Sequence, residues 1–134
     1  MFEKLALIGI GLIGSSIARA SRRHGLVRTI AISTRRQETL DEAQALGLGD
    51  VYTLDPVEAV RGADLVILCI PVQSYGPVMA QIGPHLEPGA IVSDVGSVKA
   101  YVVKQMQPHI PQGVHLIPGH PIAGTEHSGP AAGF

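Results

Sequence analysis

One cysteine, Cys69, stands in 134 residues. That excludes an internal disulfide framework and suits a reducing cytosol. No apolar run approaches the ~20 residues of a membrane span. The first apolar stretch is broken by glycines and leads to no signal-peptide cleavage site. A cytoplasmic protein with no membrane partner is therefore expected. Charged residues make up only 16% and the net charge is −1, so bulk charge gives no reason to expect nucleic acid. His115, His120 and His127 fit no H-E-x-x-H or Cys/His spacing, and no metal site is expected. A further absence is local: no Asp or Glu occurs anywhere from Lys4 to Gln37.

What the chain does have is a hydrophobic fraction of 46%, the balance that buried parallel strands produce. Its length suffices for one domain with a real core. Apolar runs at Leu5–Ile10, Thr29–Ser33, Val51–Leu54, Leu65–Ile70, Ala90–Ser93 and Val114–Ile117 read as strands. Between them, helices are predicted after the first glycine turn up to Arg23, over Glu38–Leu46, over Pro56–Arg61, around Val78–Ile82 and over Lys99–Gln107. Leu12, Ile13, Ile17 and Ala20 are expected on the buried face of the first helix, and Leu40, Ala43 and Leu46 on that of the second. Gly25 and Gly47 read as helix stops, and Pro71 as the end of the fourth strand. Strands alternating with helices predict an α/β protein with a doubly wound, mostly parallel sheet, a Rossmann fold.

Gly9-Ile10-Gly11-Leu12-Ile13-Gly14 lies between the first strand and the first helix. In that context the first glycine permits a tight turn. The second lets backbone approach a pyrophosphate, and the third lets helix pack on strand. The free N–H groups and dipole at the helix start then hold the phosphates. Gly9, Gly11, Leu12, Ile13, Gly14 and Pro71 are accordingly candidate dinucleotide contacts. The alternative is a glycine turn that serves helix packing alone.

An acid at the end of the second strand would select NAD by bonding its ribose 2′-hydroxyl. Here that place reads Ser33-Thr34-Arg35-Arg36. Hydroxyls followed by guanidinium groups suit a 2′-phosphate, so NADP is favoured with NAD possible. The basic bias of this region is broader: seven basic residues and one acid lie within residues 1–36, against three and ten in the remainder. Of these, Arg19, Arg22 and Arg23 are expected to solvate the outer face of the first helix. Cys69 is expected to be a small core residue.

Two further clusters follow predicted strand ends, Asp94-Val-Gly-Ser-Val-Lys99 and Gly119–Gly129, the latter opening with Gly119-His-Pro-Ile-Ala-Gly-Thr-Glu126. With Gly9–Ser15 and Cys69-Ile-Pro71, in this order and spacing, the chain resembles the prephenate and arogenate (cyclohexadienyl) dehydrogenase family along its whole length. The resemblance implies oxidative decarboxylation in tyrosine biosynthesis, of prephenate to 4-hydroxyphenylpyruvate or of arogenate to tyrosine. It also implies a C-terminal helical domain, absent from this chain, that forms a homodimer and completes the active site. Residues 1–134 are read as the dinucleotide-binding domain. Residues 118–134, rich in Gly, Pro and Ala, are read as an active-site loop at the start of a missing region, so a fragment of a longer protein is expected.

The resemblance further implies a catalytic His120, whose neutral imidazole can accept a proton near neutral pH. Ser97 would position the substrate hydroxyl and His120, and could equally cap the helix that follows it. Thr125 and Glu126 would line the substrate pocket. Two other readings are a reductase of the β-hydroxyacid dehydrogenase or imine reductase type, and a dinucleotide-binding module without chemistry. The Gly119–Glu126 stretch speaks against the first.

Overall fold

In a computed structural model of the protein, residues 2–95 and 99–118 are described. Six strands, β1 (Phe2–Ile8), β2 (Val27–Ser33), β3 (Val51–Thr53), β4 (Leu65–Leu68), β5 (Ile91–Asp94) and β6 (His115–Leu116), alternate with five helices. The helices are α1 (Gly11–Arg23), α2 (Gln37–Ala45), α3 (Pro56–Val60), α4 (Tyr75–Ile82) and α5 (Lys99–Met106). The strands form one sheet in the order β3-β2-β1-β4-β5-β6, and every pairing is parallel. This is the doubly wound order of dinucleotide-binding folds, with the reversal of direction between β1 and β4.

Strand alternation divides the interior in two. Leu5 and Leu7 of β1 and Ile30 and Ile32 of β2 pack with Ile17, Ala18, Leu40 and Ala43 of α1 and α2. Ala6, Ile8 and Ala31 face the opposite way, with Ala59 and Val60 of α3, Tyr75, Met79 and Ile82 of α4, and Val102 and Met106 of α5. On that second side, small residues of β1 and β2 leave room for α3. Its start is set locally: the Asp55 carboxylate accepts the Val57 N–H at 3.0 Å, and Pro56 occupies the first turn. Tyr75 is fully buried, and its hydroxyl donates to the Leu68 carbonyl at 3.1 Å.

Two carboxylates tie loops to the sheet. Asp64 accepts the backbone N–H groups of Lys4 at 2.9 Å and Glu3 at 3.0 Å. Asp50 accepts the Ile30 N–H at 2.9 Å and pairs with Arg22 at 3.0 Å. Burial raises both pKa values, but these hydrogen bonds outweigh it and hold both carboxyls below their ordinary range.

Several expectations need correction. The buried face of α1 is Gly14, Ile17, Ala18 and Ser21. Leu12 is 74% exposed and Ile13 38%, and Ala20 is only partly buried. The small residues Gly14 and Ser21 take the inner positions because the helix lies close to the sheet. Leu46 is exposed because α2 ends at Ala45 and the chain is already turning. Leu48 fills the core in its stead. The fourth strand ends at Leu68, before Cys69-Ile70-Pro71. Arg22 is more than a solvated charge, since it joins α1 to Asp50, whereas Arg19 and Arg23 are exposed as expected.

Candidate functional site

The carboxyl ends of β1, β2, β3 and β4 come together on one edge of the sheet. Hydrogen bonds carry the ladder past the formal strand ends: the Gly9 N–H donates to Ser33 at 2.7 Å, and the Cys69 N–H to Ile8 at 2.8 Å. A cleft of about 710 Å³ opens above this edge. All its described walls come from the segments at and beyond those four strand ends, where doubly wound sheets bind ligands.

The glycine turn forms the cleft's floor, and its glycines differ physically. Gly9 has φ +88°, and a Cβ there would collide with the Cys69 carbonyl oxygen and lie 2.7 Å from the Ile70 Cγ2. Gly11 has φ +53° with nothing within 4 Å of an added Cβ, so its backbone is open to a ligand. Gly14 is buried, with the Cys69 Sγ and Ile10 Cδ1 each 3.4 Å from a built Cβ. No side chain caps the start of α1 and no acid lies in its first turn. Its N–H groups thus remain available to an anion.

The loop after β2 supplies the polar wall. Ser33 and Thr34 are buried, Arg35 and Arg36 exposed, and all four line the cleft. Among the described residues the Ser33 hydroxyl has no hydrogen-bond partner, which a ribose or phosphate oxygen could supply. The Thr34 hydroxyl instead donates to the Arg36 carbonyl at 2.8 Å. An open glycine cradle, an uncapped helix start, an unpartnered buried hydroxyl and two arginines fit a dinucleotide phosphate.

Of the expected contacts, Gly9, Gly11, Ser33, Thr34, Arg35, Arg36 and Pro71 line the cleft. Leu12 and Ile13 sit on the exposed start of α1 and Gly14 inside the helix–sheet contact, all three outside the lining. Ser97, His120, Thr125 and Glu126 lie outside the described residues. The sequence reading missed Thr39, the Leu54 and Pro56 wall after β3, and Gln73, Ser74, Pro77, Val78 and Gln81 after β4. Their signal was position: each follows the carboxyl end of a strand adjacent to β1 or β2 in the sheet.

Cys69 packs against the core formed by β1, β2, α1 and α2, as expected, and also reaches the site. It is partly buried, lines the cleft and touches the glycine turn. Burial, with help from the nearby Asp94 carboxylate, raises its pKa to about 12, so the thiol stays protonated and does not serve as a nucleophile. Among the described residues no cluster of three His, Cys, Asp or Glu could hold a metal. No described helix is long and apolar enough to cross a membrane.

Residues 17–134 match the family model described as "Prephenate dehydrogenase, nucleotide-binding domain". The chain is 46% identical over 134 residues to the cyclohexadienyl dehydrogenase of Zymomonas mobilis, covering 100% of this chain and 45% of that protein. Among solved structures it is similar to the A. aeolicus prephenate dehydrogenase in complex with hydroxyphenyl propionate and NAD+. The TM-score is 0.80 at 29% identity, over 98% of this chain and 46% of that one. The Synechocystis arogenate dehydrogenase gives a TM-score of 0.77 at 34% identity, over 96% and 44% of the two chains. The chain thus spans less than half the length of these relatives.

Proposed function

Because the chain belongs to the prephenate dehydrogenase nucleotide-binding domain family, we propose that it is the cofactor-holding part of an enzyme that oxidatively decarboxylates prephenate or arogenate. The product is 4-hydroxyphenylpyruvate or tyrosine. The observation that carries this reading is the cleft at the β1/β4 switch point, floored by Gly9 and Gly11 and walled by Ser33–Arg36. Gly11 and the start of α1 would hold the pyrophosphate, and Ser33, Arg35 and Arg36 would receive the 2′ side of the adenine ribose. With no carboxylate to repel a 2′-phosphate, NADP is preferred over NAD.

A nicotinamide dinucleotide held by Gly9, Gly11 and the Ser33–Arg36 loop would supply the hydride acceptor. This chain's part is then to manage the proton. As the ring carbon bearing the hydroxyl gives up hydride, its hydroxyl proton passes to the neutral imidazole of His120, which Ser97 helps to orient. The ring carboxylate then leaves as carbon dioxide, its bonding electron pair passes through the ring to the carbonyl oxygen, and the resulting phenolate takes a proton back as the ring becomes aromatic. Thr125 and Glu126 are proposed to line the substrate pocket. The full-length enzyme is proposed to carry a helical domain in addition to this part. That domain would bind the substrate carboxylates, join two chains into a homodimer and close the pocket, and residues 1–134 by themselves are expected to bind dinucleotide without turnover. The enzyme works in the cytoplasm.

The test is prephenate- or arogenate-dependent NADPH formation by the full-length protein and by its His120→Asn variant. Asparagine keeps one hydrogen-bonding edge but cannot take the proton. A fall in kcat of about 10²–10⁴ with dinucleotide affinity nearly unchanged is expected. Near-normal kcat with an unaltered pH profile would remove His120 from this role.

A further inference from the structure

We propose that Thr34 is a positioning residue for cofactor choice: its hydroxyl holds the loop that presents Arg35 and Arg36 to the 2′-phosphate of a dinucleotide. The inference rests on the NADP reading above and gives Thr34, a residue of the cleft lining, a role through Arg35 and Arg36. The sequence alone makes Ser33 and Thr34 equivalent hydroxyls beside two arginines. The structure separates them. Ser33 faces the cleft with no partner among the described residues, while Thr34 Oγ1 donates to the Arg36 carbonyl at 2.8 Å.

That carbonyl also accepts the Leu40 N–H at 3.1 Å, the first bond of α2. Thr34 therefore ties the last residues of β2 to the first turn of α2 across the arginine pair. Arg36 caps α2 by backbone alone, with no side-chain cap to hold that end instead. Thr34 is itself buried and β-branched, so its hydroxyl is confined to few rotamers. The arginines it spans are poised for an outside anion. Among the described residues neither has an ion-pair partner, whereas Arg22, Arg28 and Arg61 each pair with a carboxylate. Holding the loop before binding lowers the ordering cost that two long side chains would otherwise add.

The experiment measures dissociation constants of NADP+ and NAD+ by calorimetry for the intact protein and its Thr34→Val, Thr34→Ser and Arg35→Ala/Arg36→Ala variants. Thr34→Val removes the donor and leaves the Arg36 carbonyl its bond from Leu40. We expect NADP+ binding weakened about 3- to 10-fold, the worth of one hydrogen bond, and NAD+ binding changed less than about twofold. Thr34→Ser, which keeps the donor, retains wild-type discrimination. In the double-alanine background Thr34→Val has no further effect, because Thr34 acts through those arginines. Equal weakening of both cofactors, or an effect that persists without the arginines, overturns the inference and leaves Thr34 a structural loop residue. So does an unchanged NADP+ affinity in a wild-type protein that prefers NADP+. Tighter NAD+ binding by the wild type instead refutes the cofactor reading itself, before any variant is made. Thr34→Ala repeats the test if the second methyl of valine prevents folding.

Discussion

Alanine substitutions at Gly9, Gly11 and Gly14 should give three different outcomes, although the motif presents the three glycines alike. At Gly9 two costs coincide. A φ of +88° is unfavourable for any residue with a Cβ, by roughly 1–2 kcal/mol. The new methyl also meets a backbone carbonyl that cannot rotate aside, which adds about 1–3 kcal/mol of overpacking. A loss of about 2–5 kcal/mol is a large fraction of the stability of a small domain. At Gly11 the methyl meets nothing within 4 Å. Stability should fall by only about 1–2 kcal/mol for the positive φ, while dinucleotide affinity falls much more, since the open cradle is then filled. At Gly14 the nearest atoms, 3.4 Å away, are side-chain ends in ordinary contact. Replacing glycine within a helix should therefore stabilise by about 0.5–1 kcal/mol. Thermal melts resolve these differences at roughly 3–5 °C per kcal/mol for a domain of this size, and calorimetric titration gives the affinities. If Gly14→Ala destabilised as much as Gly9→Ala, the helix–strand contact would be tighter than described and the argument for Gly14 would fail.

Ser33→Asp should exchange the cofactor preference, weakening NADP+ by like-charge repulsion, and paired titrations with NADP+ and NAD+ would read it; unchanged NADP+ affinity would count against the 2′-phosphate site. Asp64→Asn should lower stability by about 1–2 kcal/mol in denaturant titrations, since an amide can accept only one of the two backbone N–H groups well. The folded pKa values of Asp50 and Asp64 are depressed, so their contribution is complete above the ordinary carboxylate pKa and is lost as pH falls through the folded values. Unfolding midpoints followed from pH 6 downward in wild type and Asp64→Asn should converge below pH ~4. Cys69, with a pKa of about 12, should react with iodoacetamide at pH 8 only after unfolding, its thiolate fraction being on the order of 10⁻⁴. Labelling of the native protein at the rate of a free thiol would contradict the raised pKa.

The order of elements was readable because parallel strands are runs of apolar residues and the helices between them carry clear punctuation, such as Asp55-Pro56 at the start of α3. The phase of α1 was not. A hydrophobicity pattern points to Leu12 and Ile13, but the helix approaches the sheet through Gly14, Ile17, Ala18 and Ser21. Closeness selects small residues, and an apolar count does not register them. The end of β4 failed for a related reason. Leu65–Ile70 is one apolar run, yet the β5 partner stops at Asp94, opposite Leu68. The last two apolar residues, with Pro71, leave the ladder and become the surface against which Gly9 turns.

The site divides in the same way. Its phosphate-facing half is a local property of the chain: a glycine turn after one strand and a carboxylate-free loop after the next are visible as consecutive residues. Its other half is a property of the strand order. Leu54 and Pro56 after β3, and Gln73 to Gln81 after β4, reach the same cleft only because β3, β2, β1 and β4 are neighbours in the sheet. In the sequence, those segments are separated from the glycine turn by two or more complete elements. Even within the legible half, residue type did not settle role. Ser33 and Thr34 differ by a methyl group, but one lies open to a ligand and the other is committed to Arg36. Cofactor choice in such a loop thus depends on which hydroxyl the backbone claims first, a question that only the folded arrangement of β2 and α2 decides.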